Sequence, residues 1–417
     1  MSRDLLMIAY LFPPIGGSGA IRPLKLCRYL PRFGWRPVIL TVRNPDWYYA
    51  RNEDLLAELP RDVRVFRSVM LRSAWIYRLL NPLRIKRLDD CIRRYLMHPD
   101  ERIGWLVPAC RQAMKIIKSG RIEAVYSTSG PLTCHLIAWY VKARTGLPWV
   151  AEFRDEWLEE PSLALPTRWH YRLHFFLERQ IVRRADRVVT LAPAFTRFLS
   201  KHVETVEKFI TVPAGFDPAD FSAIHGKTHR GPFTIVFTGL FYDNFKPDCF
   251  LSAVNDLLNE KKISSREIVI RFVGANTADQ LDVSDVHGIW DFTGFVGRKQ
   301  ALAYLNDADV ALLLLSRERG AGVIPSKLFD YIAAQIPILA LVPPEGAAAE
   351  IISATGSGLI VDFGDKSQIK ESVYQLFLAW KENRPLIETR VLPSIDQYRI
   401  NRLVGKLAET LNQVAGR

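Results

Sequence analysis

Short apolar runs recur along the chain, each closing in a polar or glycine-bearing turn, with helical periodicity in the stretches between them. In the first half they fall at residues 5–12, 37–42, 124–127, 149–152 and 187–191. Runs of this length without polar alternation suit strands covered on both faces, and the intervening helices supply the cover. The pattern therefore predicts a parallel sheet with helices packed on it. After 210–212 comes Pro213-Ala214-Gly215-Phe216-Asp217-Pro218 and a polar stretch through Arg230. The alternation then begins afresh at 234–238, 268–273, 289–293, 310–315, 338–341 and 358–361. Helices are expected over 299–306 and 325–335, and helical periodicity runs through the last residues. The expected organisation is α/β, with two Rossmann-like domains over 1–213 and 231–380 and a linker over 214–230. A helical segment, 381–417, is expected to pack back onto the first domain.

Composition narrows the classes. A chain of 417 residues, 48% of them hydrophobic, is long enough for two or three domains with sizeable cores. No stretch approaches the roughly 18 uninterrupted apolar residues of a membrane-spanning helix. The opening run ends in Pro13-Pro14-Ile15-Gly16-Gly17 rather than a small-residue cleavage site, and Asp4 dilutes its positive end. It reads as a first buried strand, not a signal peptide. The five cysteines (Cys27, Cys91, Cys110, Cys134, Cys249) include no C-x-x-C pair, which argues against a disulfide framework or zinc site and for a reducing cytoplasm.

The formal net charge of +12 asks for a polyanionic partner: nucleic acid, an anionic membrane or phosphorylated substrates. Its basic residues lie inside mixed helical segments and no nucleic-acid motif accompanies them, so nucleic acid is not expected. Two segments, 71–95 and 168–184, interleave Arg and Lys with aromatic and aliphatic residues. Such stretches lie in an anionic membrane interface, or pack as ordinary amphipathic helices. The expected location is cytoplasmic, with peripheral contact on the inner face of the plasma membrane.

Candidate chemistry sits at the carboxyl ends of strands, where open α/β sheets bind ligands. Gly16-Gly17-Ser18-Gly19 follows the first strand; glycines let backbone approach a ligand, and the helix start beyond them favours an anion. It is not a G-x-G-x-x-G fingerprint. Glu152-Phe153-Arg154-Asp155-Glu156-Trp157 ends another strand. There Arg154 suits a phosphate and Asp155 suits sugar hydroxyls or a proton, unless the two simply pair. His135 begins a helix after Ser127-Thr128-Ser129-Gly130-Pro131. In the second half, Ile324-Pro325-Ser326-Lys327-Leu328-Phe329-Asp330 opens a helix whose free amides suit a diphosphate. Lys327 adds charge and Asp330 suits ribose hydroxyls; an ordinary capped helix is the alternative. Gly239 with Lys246 repeats that arrangement in small, and Gly294-Phe295-Val296 is placed to close over a base. Asp307-Ala308-Asp309 matches a D-x-D string but lies between a helix and a buried strand, so no metal is expected there.

Together these strings resemble glycosyltransferase family 4, of the two-domain GT-B type, over nearly the whole length. They are Pro13–Gly17, the acidic F-R-D-x-W segment (as in a polysaccharide-assembly branch), Val212-Pro213-Ala214-Gly215-Phe216-Asp217, Thr293-Gly294-Phe295-Val296 and Pro325-Ser326-Lys327-Leu328-Phe329-Asp330-Tyr331. The resemblance implies two domains facing across a cleft and a retaining, metal-independent transfer of sugar from a nucleoside-diphosphate sugar to an acceptor hydroxyl. No cofactor beyond the donor is implied. Gly16, Gly17, Gly239, Lys246, Phe295, Val296, Ser326, Lys327 and Asp330 would serve the donor. His135 and Asp155 would be catalytic, with Glu152 and Arg154 on the acceptor side. Asp330 falls on the second glutamate of the family's E-x7-E motif. Gly322 stands where the first belongs and Pro325 where its internal glycine belongs, and Glu318 is out of register. The same fold also resembles that of nucleotide-sugar 2-epimerases, and the missing glutamate leaves room for a non-catalytic nucleotide-sugar-binding subunit of a glycan-assembly complex.

Overall fold

The computed structural model describes residues 2–45, 51–71, 86–155, 157–158, 165–201, 206–221, 231–239, 241, 247–274, 288–315, 322–387 and 392–416. The chain divides into two compact units, Met1–Pro213 with Asn401–Arg417, and Ala214–Ile400.

Unit 1 is built on β1 (Arg3–Ile8), β2 (Trp35–Val42), β3 (Arg64–Ser68), β4 (Ile122–Thr128), β5 (Trp149–Phe153), β6 (Arg187–Thr190) and β7 (Phe209–Thr211). They form an all-parallel sheet in the order β3-β2-β1-β4-β5-β6-β7. Every residue of β1 is buried, including Asp4, whose carboxylate takes Arg36 at 2.6 Å and Arg64 beside it. The strands reading as apolar runs are the covered ones. The edge strands β3 and β7 are half exposed and carry no such covered run: Arg-Val-Phe-Arg-Ser buries only its last residue fully. The chain's final helix, Ile400–Val414, enters unit 1 at Asn401. Its Asn412 accepts from Trp35 Nε1 at 3.0 Å and from Arg3 at 3.2 Å.

Unit 2 carries β8 (Phe233–Thr238), β9 (Ile268–Val273), β10 (Trp290–Gly294), β11 (Val310–Leu314), β12 (Ile338–Leu341) and β13 (Gly358–Val361), parallel and in the order β10-β9-β8-β11-β12-β13. Side chains alternate along a strand, so each strand feeds two cores. Phe233, Ile235 and Phe237 point to one core with Val310, Leu312 and Leu314. Val236 points to the other with Ala311 and Leu313. Residues Ala214–Phe221, expected as linker, belong to unit 2: Phe216 pairs with Arg399 and packs on Phe221. No helix among the described residues is long and apolar enough to cross a membrane.

Candidate functional site

Both sheets reverse their winding once, between β1 and β4 and between β8 and β11, and the carboxyl ends of those strands are where such sheets leave a crevice. In unit 2, Gly239 follows β8 with φ +127° and donates its N–H to Val273 O at 2.8 Å. Gly274 and Gly294, at φ +82° and +68°, end the two neighbouring strands, and Gly274 N–H donates to Gly294 O at 2.8 Å. Three glycines thus form a bare backbone ledge that side chains would obstruct.

Lys327 completes that corner. It lies in the first turn of the helix Ser326–Ala333, with Nζ 3.8 Å from the Phe237 ring centroid. A Cβ on Gly239 would stand 2.6 Å from the same Nζ. The helix start has Pro325 at its cap, no side-chain cap and no acidic residue in its first turn. Its amides and the Lys327 ammonium therefore bring positive potential to one corner. Tyr331 pins the helix to the sheet: its hydroxyl donates to Leu312 O (3.3 Å) and accepts from Thr238 N–H (3.0 Å), and burial pushes its pKa up to about 12.

Asp330 does not stand alone. Arg298 donates to both its oxygens, at 2.9 and 3.2 Å, and also to Asp220 at 3.1 Å. Burial alone would lower the Arg298 pKa, but the two carboxylates raise it, so the guanidinium stays charged. Each Asp330 oxygen keeps a lone pair for a hydroxyl. Ser326 is exposed, Phe295 is 66% exposed beyond β10, and Val296 is half-buried beside it. Lys246, Glu318 and Glu156 lie outside the described residues. Asp309 accepts from Thr234 N–H at 2.8 Å, at the amino end of β8, opposite the ledge. No group of metal-ligating side chains occurs among the described residues.

Unit 1 assembles differently from expectation. Gly17, at φ +90° with open space about it, caps the helix Ser18–Tyr29, and Gly16 is half-buried beside it. Gly19 is a packing glycine, since a Cβ there would lie 2.3 Å from Leu11 Cδ1. Arg154 donates to Gly19 O at 2.7 Å, and its N–H donates to Ser129 Oγ at 2.8 Å. Its guanidinium thereby clamps the glycine turn to the ends of β4 and β5. Glu152 has no exposed surface. Its oxygens take Arg22 Nε at 2.6 Å and Thr128 Oγ1 at 2.7 Å. Arg22 also donates to Pro213 O and Val212 O, at 2.8 and 3.1 Å. Burial alone would raise the Glu152 pKa; Arg22 overrides it and holds the carboxyl below the usual range.

His135 is also fully buried, against Phe153, with Nδ1 2.8 Å from Ser127 Oγ. Burial pushes its pKa down to about 3, so the ring is neutral. In this conformation neither Glu152 nor His135 is exposed to solvent. A charge without water survives only beside its counter-charge, and Glu152 spends one oxygen on Arg22 and the other on Thr128. Asp155, by contrast, is exposed at the end of β5. The helix Thr133–Thr145 has its amino end occupied by Asp100, which takes Thr133 N–H (2.8 Å) and Oγ1 (2.9 Å). Of the two helices flanking the β1–β4 switch, that leaves the Gly17 end for an anion.

Two doubly wound parallel domains, each with glycine-bearing strand ends at its switch point, define the GT-B architecture of glycosyltransferases. Residues 17–215 match the family described as "Glycosyl transferase 4-like domain" and residues 232–378 that described as "Glycosyl transferases group 1". The chain belongs to the glycosyltransferases that these two models describe. No curated protein matches it by sequence. Among solved structures it is similar to HepE of Anabaena in complex with UDP-glucose, at 11% identity over 98% of this chain and 99% of that one, with TM-score 0.64. It is similar also to sucrose-phosphate synthase of Thermosynechococcus elongatus (13% identity, 99% and 97% covered, TM-score 0.65). The lipopolysaccharide outer core galactosyltransferase WaaB shares the fold at 10% identity over 98% and 99%, with TM-score 0.56.

Proposed function

We propose that the chain transfers a sugar from a nucleoside-diphosphate sugar to an acceptor hydroxyl, with retention and without a required metal, in surface polysaccharide or glycolipid assembly. One observation carries the reading: the Lys327 ammonium sits against the Gly239 backbone at the start of an uncapped helix. A diphosphate leaving group placed there meets a cation and amides already oriented, which is how developing charge is stabilised without reorganisation. Asp330, held by Arg298, takes the ribose hydroxyls, and the exposed Phe295 covers the base. In unit 1, Asp155 is the solvent-facing carboxylate for the acceptor. HepE was crystallised with UDP-glucose, so UDP-sugars are the first donors to test.

The test is a thermal-shift and calorimetric panel of UDP-, GDP- and ADP-sugars with chelator present, on the native chain and Lys327→Ala. Loss of that charge is expected to weaken the preferred nucleotide about tenfold or more, or ~1.4 kcal/mol. Equal affinity in the variant would remove the donor site from this corner. With a donor in hand, acceptor-dependent nucleotide release supports transfer, whereas a free epimerised nucleotide sugar supports the epimerase and binding without turnover supports a non-catalytic subunit.

A further inference from the structure

Unit 1 presents a face that neither the fold nor the donor site explains. The helices Leu106–Ser119 and Thr133–Thr145 pack side by side on the sheet, and Arg168–Arg184 packs along the second of them. Together they contain ten Lys and Arg and one carboxylate, Glu178, which has no exposed surface. The outward residues follow helical spacing. On the first helix the exposed stripe is Val107, Arg111, Lys115 and Lys118. On the third it includes Arg168, Arg172, Phe176, Arg179 and Arg183, and Trp169 is 63% exposed beside Tyr171 at 52% and Phe176 at 52%. Half-bare aromatics are costly in water, and three on one helix are more than scattered surface apolars account for.

Between the first two helices lies a cleft of about 540 Å³, lined by Val107, Cys110, Leu136, Trp139 and Tyr140 with Arg111 as its charged member. Arg184 lies over Trp139 and Arg144 over Tyr140, at 5.2 and 5.5 Å, so cations ring the apolar floor. A nucleic acid would satisfy the cations and leave the cleft and Trp169 wet. An acidic protein would need a matching apolar ridge. A bilayer interface satisfies both kinds of group at once: phosphates meet the arginines, and aromatic rings sit at headgroup depth.

We propose that this three-helix face docks on an anionic lipid bilayer, with lipid hydrocarbon entering the cleft between the first two helices. The inference is independent of the donor reading, since none of these residues belongs to the nucleotide corner. The test is flotation of the full chain with vesicles of phosphatidylcholine alone or mixed with phosphatidylglycerol, at low and high salt. The native chain is expected to float with the anionic vesicles, less so as salt rises. Arg172→Gln with Arg179→Gln should weaken partitioning about 25-fold, at roughly fivefold for each cation. Trp169→Ser with Phe176→Ser should weaken it at both salt concentrations. All four positions are exposed, so melting temperature and nucleotide-induced shift should stay native, which separates a docking defect from a folding one. Equal or absent partitioning to the two vesicle types would overturn the proposal. So would variants that float like the native chain, or retention on single-stranded DNA without vesicle binding.

Discussion

Replacing Arg22 by methionine should reverse the way acid and base act on this protein. The guanidinium is 6% exposed and its partner Glu152 is 0% exposed, at 2.6 Å. Methionine keeps much of the apolar stem but leaves a carboxylate with no cation in contact and no water. Breaking a buried pair in this way costs about 3–5 kcal/mol. The carbonyls of Val212 and Pro213 lose their donor as well, at roughly 1 kcal/mol each where water does not replace it. A total of about 5–7 kcal/mol at neutral pH is expected where water replaces neither donor, a large share of the 5–15 kcal/mol that folded domains hold. The pH dependence carries the sharper signal. In the native chain the Glu152 pKa is below its unfolded value, so its contribution is present above about pH 4.5 and is lost as pH falls through the folded pKa. Without Arg22, the largest opponent of burial is gone; the lowering by Tyr126, Thr128 and Arg154 is expected not to offset it, so the folded pKa rises. The unfolded state then releases its proton first, and the deficit grows as pH rises above about 4.5. Urea unfolding at pH 5, 6.5 and 8 measures this, with Glu152→Gln added to Arg22→Met as the second arm. The double variant should recover part of the loss at pH 8, because the stranded charge is gone. A single variant within 1 kcal/mol of native, or a deficit that shrinks from pH 5 to pH 8, would refute the reasoning.

Asp330→Ala should weaken nucleotide binding about 10- to 100-fold, the worth of one charged hydrogen bond to a hydroxyl, and leave the fold intact because Arg298 keeps Asp220. Titration calorimetry with a nucleoside diphosphate reads it, and unchanged affinity counts against the ribose role. Gly239→Ala places a methyl 2.6 Å from Lys327 Nζ at φ +127°. It should cost about 1–3 kcal/mol in backbone strain and cut donor affinity by displacing the ammonium, whereas native binding would mean that the Lys327 position is immaterial. Acid should destabilise unit 1 through its buried histidines. The folded pKa of His135 is lowered by burial to about 3, and that of His174 by burial and by His98 and His170 to about 4. Both are below the unfolded value near 6.5, so their stabilisation is complete above that pH and lost as pH falls towards the folded values, by up to about 1.4 kcal/mol per pH unit for each ring. Trp157 fixes the His174 tautomer by donating to Nδ1 at 3.0 Å, which turns Nε2–H towards His98 Nδ1 at 2.8 Å. Trp157→Phe frees Nδ1 to take a proton and should move that part of the acid transition to higher pH; a melting profile superimposable on the native one from pH 4 to 7 would speak against the chain of rings.

The sequence alone determined what contiguous residues encode. Covered strands announced themselves as apolar runs at 5–12, 124–127 or 310–315, the restart at 234 marked a second sheet, and glycines marked the strand ends. Helix Ser326–Ala333 was legible from its proline start, and Lys327 with it, because a helix amino end and its first-turn charge are local. Edge strand β3 was hidden: its exposed alternating residues look like loop, and only pairing with β2 makes it a strand. What tertiary structure alone decided is which side chain each candidate meets. Glu152 finds Arg22, 130 residues away, because the winding sets β1 and its helix beside β4 and β5. Asp100 reaches the helix start at Thr133, and Asp330 finds Arg298. Periodicity records how polar a position is. A buried charge is kept or lost by the partner opposite it, and that partner is chosen by strand order.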